Sequence, residues 1–323
     1  MSGRPPIRRL AVHDWGTHPC APDRFRDRLT SLDCDVVVRE ADDLDDCDAV
    51  VTLFHQDEFL ESVSWVHDIR AGYEDFPLEA YRERGVAVTN STGVAGDLVG
   101  ETALGLMLSL SKGLHRFRDR QAEARWERLP VERPFELGRS SVCVVGLGQL
   151  GGSVASRAGV LGTDVVGVDV RPVSGLGLRR VYDVTDLSEA VADRRFVVLT
   201  TPLTPETRGL IDEDVLAAMR EDAYLVNVSR GEVVDEDALV TALEADEIAG
   251  AALDVFVDEP LAPDSPLWAH PEVIVTPHAA AQADGYGRKL AELVRTNVAR
   301  LDAGRPLWNE VVAAREPAVD GEQ

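Results

Sequence analysis

The run Val142-Cys143-Val144-Val145-Gly146-Leu147-Gly148-Gln149-Leu150-Gly151 leaves this chain few ways to fold. A short apolar, largely β-branched stretch reads as a buried strand, the glycines impose a turn, and Val154, Ala155, Ala158 and Val160 follow with an apolar helix pattern. In such a GxGxxG turn Gly146 permits the tight bend, Gly148 leaves room for a pyrophosphate, and Gly151 lets the helix approach the sheet. The main-chain amides of the helix start, around Gln149 and Leu150, can stabilise the phosphates. The next strand, Asp164 to Val168, runs into Asp169, placed where a carboxylate receives the adenosine ribose hydroxyls. A dinucleotide site is therefore expected. The charge of Asp169 opposes a 2′-phosphate and favours NAD(H). Arg171 can instead turn toward such a phosphate, so NADP(H) or dual use stays open, as does a solvent-facing Arg171 paired with nearby acids.

The chain has 323 residues, 45% hydrophobic and 28% charged, enough for a sizeable core and two domains. Its formal charge of −24 disfavours a general grip on nucleic acid. Only Lys112 and Lys289 are lysines among 33 basic residues, a skew pointing to a high-salt cytoplasm, where screening weakens repulsion between carboxylates. The alternative is an acidic protein from an arginine-rich genome. Cys20, Cys34, Cys47 and Cys143 form no CxxC pair and read as incidental or buried thiols of a reducing compartment. The acidic stretch Asp42 to Asp48 reads as a solvated loop. The histidines His13, His18, His55, His67, His115 and His270 show no metal-ligand spacing, and no metal is expected. A cytoplasmic location follows from the absence of a signal core at Met1 to Arg9 and of any membrane-spanning apolar run.

Short β-rich runs alternate with helical stretches from Leu10 onward, which favours α/β packing. Gly100 to Arg128 reads as one long amphipathic helix, with a domain boundary near residue 105. Beyond the glycine turn, strands at Phe196 to Leu199, Tyr224 to Val228, Ala251 to Val255 and Val273 to Val275 each lead into polar residues. Thr201 and Pro202 open a loop that can pass the nicotinamide side; Arg230, Asp254, Glu259 and His278 follow the later strands. Ligands of open α/β sheets bind at such carboxyl ends.

In this order, the glycine motif, Asn227-Val228-Ser229-Arg230-Gly231, Leu253-Asp254-Val255 with Asp258-Glu259-Pro260, and Thr276-Pro277-His278 resemble the D-isomer-specific 2-hydroxyacid dehydrogenases over roughly residues 65 to 311. The resemblance implies a Rossmann coenzyme domain, 105–285, inserted into a smaller, discontinuous flavodoxin-like α/β substrate domain, 1–104 and 286–323. It also implies hydride exchange between a nicotinamide coenzyme and a 2-oxo or D-2-hydroxy acid, with Arg230, Glu259 and His278 as the catalytic positions. Asp254 is implied near the nicotinamide carboxamide. The loop Arg70-Ala71-Gly72-Tyr73-Glu74-Asp75 is implied against the substrate carboxylate, Arg70 standing where relatives often carry serine. A homodimer formed through the coenzyme domain is implied as well.

Residue chemistry agrees with those roles. Reduction of a 2-oxo acid needs a proton for the nascent alkoxide and charge stabilisation beside it. His278 can supply the proton, Glu259 can orient the imidazole and favour its charged form, and Arg230 can bind the carboxylate and polarise the carbonyl. Taken singly, His278 can equally cap a turn, Glu259 can be a solvated acid, Arg230 can form an interdomain ion pair, and Asp254 can be a buried structural acid. A dehydrogenase of other stereochemistry, a phosphonate oxidoreductase and an NAD-sensing corepressor remain as alternatives.

Overall fold

The computed structural model describes residues 6–16, 21–73, 75–131, 133–174 and 176–313. His18, Cys20 and Glu74 lie outside the described residues, as does the tail after residue 313. Thirteen strands are described: β1 (Arg9–His13), β2 (Asp35–Arg39), β3 (Ala49–Thr52), β4 (Trp65–Asp68), β5 (Ala87–Thr89), β6 (Ser141–Val145), β7 (Asp164–Val168), β8 (Val181–Tyr182), β9 (Phe196–Leu199), β10 (Tyr224–Asn227), β11 (Gly250–Leu253), β12 (Val273–Val275) and β13 (Glu310–Val312). They form two sheets, and the chain divides into two compact units, Met1–Ala95 with Gln282–Gln323, and Gly96–Ala281.

In the first unit the sheet order is β13-β5-β4-β3-β1-β2, parallel throughout except for β13, which pairs antiparallel with β5. The parallel strands thus run 2-1-3-4-5, the flavodoxin-like order, and the returning C-terminal piece closes the edge. Strand β3 is buried along its whole length, as expected of a parallel strand covered on both faces. In the second unit all seven strands are parallel in the order β12-β11-β10-β9-β6-β7-β8. This is the doubly wound dinucleotide-binding arrangement, with β6 and β9 flanking the point where the strand order reverses. No helix among the described residues is long and apolar enough to cross a membrane, and no group of three or more His, Cys, Asp or Glu among them could hold a metal ion.

The long helix expected over 100–128 is two helices, Gly96–Lys112 and Leu114–Ala122. Gly113 breaks it with φ +64°, and the Leu129 side chain fills the space its Cβ would need, 2.4 Å away. Residues 123–130 are not helical. The division between units falls at Ala95/Gly96 and Ala281/Gln282, nine and four residues before the expected places. The cause is close packing of the 96–112 helix on the helix Gln149–Val160 of its own unit: a Cβ on Gly100 would stand 2.3 Å from Ser153 Oγ. The small residues Gly96, Gly100 and Ala103 are buried there, so the helix belongs to the coenzyme unit from its first turn.

His67 is fully buried in β4, and burial pushes its imidazole down to about 3. Trp65 Nε1 donates to Thr89 Oγ1 at 2.9 Å and Ser91 Oγ donates to the Asp68 carbonyl at 3.0 Å. Thr89 Oγ1 (2.7 Å) can then donate to Nδ1, and Ser91 Oγ (3.1 Å) accept from Nε2, which fits the neutral ring. The unfolded chain takes up a proton near pH 6.5 and the folded one does not, so stability is lost as pH falls below that value, up to about 4 kcal/mol toward pH 3. The unfolding free-energy difference between wild type and His67→Asn is therefore expected to be largest at pH 7 and to shrink on acidification. A difference constant across that range in denaturant titrations contradicts this.

Candidate active site

The glycine turn follows β6 as the sequence predicts, with Gly146 at φ +88°. A Cβ on Gly151 would lie 1.8 Å from the Gly146 carbonyl oxygen, so only glycine lets the helix start this close. Gly148 has nothing within 4 Å of its missing Cβ, leaving an open cradle at a helix N-terminus. Across the strand-order reversal, Thr200 after β9 donates to the Val145 and Gly146 carbonyls at 3.0 and 2.7 Å and fixes the turn. Only its place at the end of β9 could have signalled Thr200 in the sequence. Thr201 packs against Gly146, and its hydroxyl is buried without a partner among the described residues. The cradle and this orphan hydroxyl fit a dinucleotide.

Asp169 accepts from the Leu147 N–H at 2.8 Å and from the Arg171 N–H and Nε at 2.9 and 3.1 Å. Burial pushes its carboxyl up, but hydrogen bonds from Arg171 and from the main chain outweigh this and hold it below its usual range. Its side chain is 5% exposed and that of Arg171 66%, so the carboxylate is buried and the guanidinium that pairs with it, through Nε at 3.1 Å and Nη2 at 3.3 Å, faces solvent. Pro202 is exposed and its carbonyl accepts from Thr207 Oγ1 at 2.7 Å.

Strands β10, β11 and β12 end side by side and carry the other candidates. Asn227 closes β10 and donates from Nδ2 to the Arg230 carbonyl at 2.9 Å, while its Oδ1 accepts from the Ser229 N–H and hydroxyl. The turn after Arg230 touches the chain leading to Glu259, since a Cβ on Gly231 would meet the Phe256 carbonyl carbon at 1.9 Å. Glu259 Oε1 accepts from the Phe256 N–H at 3.1 Å, and its Oε2 lies 2.8 Å from His278 Nδ1. The His278–Glu259 pair expected from the sequence is thus formed. The two side chains line one wall of an apolar recess of about 370 Å³ with Phe256, Leu261, Trp268 and Pro277.

Asp254, expected on the nicotinamide carboxamide, holds the His278 turn in this structure. Its Oδ1 accepts from Thr276 Oγ1 (2.5 Å) and the Ala279 N–H (2.9 Å), and its Oδ2 from the Ala280 N–H (2.8 Å). It is 1% exposed, and a buried carboxylate needs these donors. The His278 N–H donates to the Asp254 carbonyl at 2.7 Å, keeping the histidine at φ +49°, a conformation that costs about 1–2 kcal/mol outside glycine. A strained, multiply tethered histidine is a mark of function.

The loop after β4 belongs to the other unit. Its carbonyls are occupied in succession: Ile69 accepts from the Tyr286 hydroxyl, Arg70 from the Ser91 N–H at 2.8 Å and Ala71 from Asn90 Nδ2 at 2.6 Å. The N–H groups of Ala71 and Gly72 have no partner among the described residues. Two consecutive main-chain N–H groups without a partner are available to an anion. The Arg70 guanidinium pairs with Asp68 at 3.4 Å and Asp75 at 3.1 Å, and its Nη2 is buried without a partner among the described residues.

Residues 104–280 match the family model of the D-isomer specific 2-hydroxyacid dehydrogenase NAD-binding domain. A glyoxylate reductase of Korarchaeum cryptofilum is 31% identical over 285 residues, covering 84% of this chain and 86% of that one. Among solved structures, a D-isomer specific 2-hydroxyacid dehydrogenase of Xanthobacter autotrophicus, in complex with NADPH, is 30% identical with TM-score 0.78, covering 94% and 98% of the two chains. An NADPH-dependent glyoxylate/hydroxypyruvate reductase of Sinorhizobium meliloti is 27% identical with TM-score 0.82, covering 95% and 100%. With its two α/β units, its glycine turn at the sheet reversal and its paired histidine and glutamate, the chain belongs to the D-isomer-specific 2-hydroxyacid dehydrogenases, which interconvert 2-oxo acids and D-2-hydroxy acids with a nicotinamide coenzyme.

Proposed function

We propose that this enzyme reduces small 2-oxo acids of the glyoxylate and hydroxypyruvate class, with Arg230, Glu259 and His278 as its reacting set. The contact that carries this reading is the 2.8 Å His278–Glu259 pair. Bound nicotinamide coenzyme supplies the hydride. The chain supplies the rest. His278, with Nδ1 on the glutamate, keeps Nε2 to give a proton to the C2 oxygen and to retrieve it in oxidation. Arg230 binds the carboxylate and polarises the carbonyl. In the other unit, the Ala71 and Gly72 amides are the donors the family resemblance assigns to a substrate carboxylate. The glyoxylate and hydroxypyruvate named for its relatives support the substrate class.

His278→Ala is expected to lower kcat by about 10²–10⁴, the usual worth of a general acid, with coenzyme affinity nearly intact. Arg230→Lys is expected to be costly because an ammonium lacks the planar two-donor fork. Glu259→Gln replaces the carboxylate that bonds Nδ1 by an amide that can present its NH₂ instead, so kcat is expected to fall with KM little changed. Steady-state kinetics across pH check all three; near-normal turnover of His278→Ala removes the assignment.

For the coenzyme, the buried Asp169 carboxylate favours the free ribose hydroxyls of NAD(H), and the exposed Arg171 allows NADP(H) by exchanging Asp169 for a 2′-phosphate. The contacts assigned to Gly146, Gly148, Gln149, Leu150, Gly151, Thr201 and Pro202 are shared by both. Arg171→Ala should raise the ratio of kcat/KM with NADH to that with NADPH several-fold. An unmoved ratio means Arg171 has no part in the choice, and a strong wild-type preference for NADPH reverses it.

The acidic charge, the two lysines and the free Cys34, Cys47 and Cys143 support an enzyme of a reducing, salt-rich cytoplasm that leaves nucleic acid alone. Leu114, Phe117, Trp126 and Val131 are exposed apolar residues of the coenzyme unit and support a homodimer. The guanidinium unfolding midpoint is not suitable for testing the salt adaptation, because the denaturant is itself a salt. Urea titrations are expected to show a higher midpoint in molar KCl than in dilute buffer, and equal midpoints exclude the adaptation.

A further inference from the structure

We infer that Asn90 and Tyr286 are positioning residues for the substrate carboxylate: Asn90 holds the peptide that carries the Gly72 N–H, and Tyr286 holds the entrance of the loop, on the peptide whose Arg70 N–H donates to Asp68 Oδ1 at 2.9 Å, one peptide before the Ala71 amide. The inference rests on the reading that the loop after β4 receives that carboxylate. The N–H of Gly72 belongs to the same peptide group as the Ala71 carbonyl, and Asn90 Nδ2 donates to that carbonyl at 2.6 Å. The N–H of Ala71 shares its peptide group with the Arg70 carbonyl, which accepts from the Ser91 N–H at 2.8 Å. The preceding carbonyl, that of Ile69, accepts from the Tyr286 hydroxyl. A planar peptide bonded at its oxygen cannot turn its N–H away, and it is the stronger donor, by about 10–30% per bond in a chain of this kind.

Asn90 is itself held. It is 3% exposed, its Oδ1 accepts from the Thr92 N–H at 3.2 Å, its N–H donates to the Asn309 carbonyl at 3.1 Å, and Asn309 Nδ2 returns a bond to the Asn90 carbonyl at 3.2 Å. The amide group therefore has one orientation, nitrogen toward Ala71. Tyr286 opens the returning helix Tyr286–Asp302 and is 8% exposed. Both tethers reach the loop from behind, through its carbonyls, and leave the Ala71 and Gly72 N–H groups open. Arg70 pairs with Asp68 and Asp75 through Nε and Nη1.

The test uses Asn90→Leu, near in size but without a donor, and Tyr286→Phe, which deletes one hydroxyl. Oxamate, a poorly reducible mimic with a carboxylate beside a carbonyl, is titrated by calorimetry into the full-length enzyme saturated with NADH, alongside glyoxylate kinetics. Asn90→Leu is expected to weaken oxamate binding and raise the glyoxylate KM about tenfold, with kcat within about threefold and NADH affinity unchanged; Tyr286→Phe is expected to do the same about threefold. Should Asn90→Leu not fold, Tyr286→Phe alone decides. Unchanged oxamate affinity and KM, or a loss in kcat with KM constant, overturns the positioning role while leaving the enzyme's function in place. Wild type that binds oxamate but does not turn over glyoxylate or hydroxypyruvate overturns the substrate class instead, and the oxamate affinities still decide the role of the tethers.

Discussion

The buried carboxylate of Asp254 is the interaction on which the reactive half of this enzyme depends. A charge taken out of water must be met by donors, and here Thr276, Ala279 and Ala280 meet it from both sides of His278. The turn cannot relax without leaving that charge unpaired. This is how a non-glycine residue stays at φ +49° and how its imidazole comes within 2.8 Å of Glu259, nineteen residues earlier in the chain. A backbone of the same sequence without the Asp254 bonds would have no reason to hold the ring there.

The same division of labour recurs in the other unit. Side chains and main-chain donors bond carbonyls there, and two main-chain N–H groups are left without a partner among the described residues. Asn90, Ser91 and Tyr286 occupy carbonyls so that the Ala71 and Gly72 amides stay open, and Thr200 pins the Gly146 turn so that the Gly148 cradle does. Main-chain donors held this way cost little reorganisation when an anion arrives, which is the physical basis of electrostatic preorganisation. The partly buried Arg70 and the exposed Arg171 are paired with acids.

Much of the fold was legible because parallel strands buried on both faces leave runs of Val, Leu and Ala, and because the glycine turn admits few alternatives. The single long helix over 100–128 was misread because hydrophobic periodicity does not register one glycine at positive φ. Gly113 turns the chain where Leu129, sixteen residues later, takes the room a side chain would need. Short strands such as β8, with two residues, carry too little pattern to be seen.

The sequence by itself determined the class of fold, the coenzyme-binding turn and the order of strand-end residues, since each follows from local sterics and periodicity. Only the tertiary structure decided which contacts those residues make: that Asp254 bonds the histidine turn, that Arg70 pairs with Asp68 and Asp75, and that Asn90 and Tyr286 bond carbonyls of the loop after β4. These are contacts between residues from 2 to 217 positions apart. A hydrogen bond depends on distance and direction in space, and no spacing along the chain encodes either.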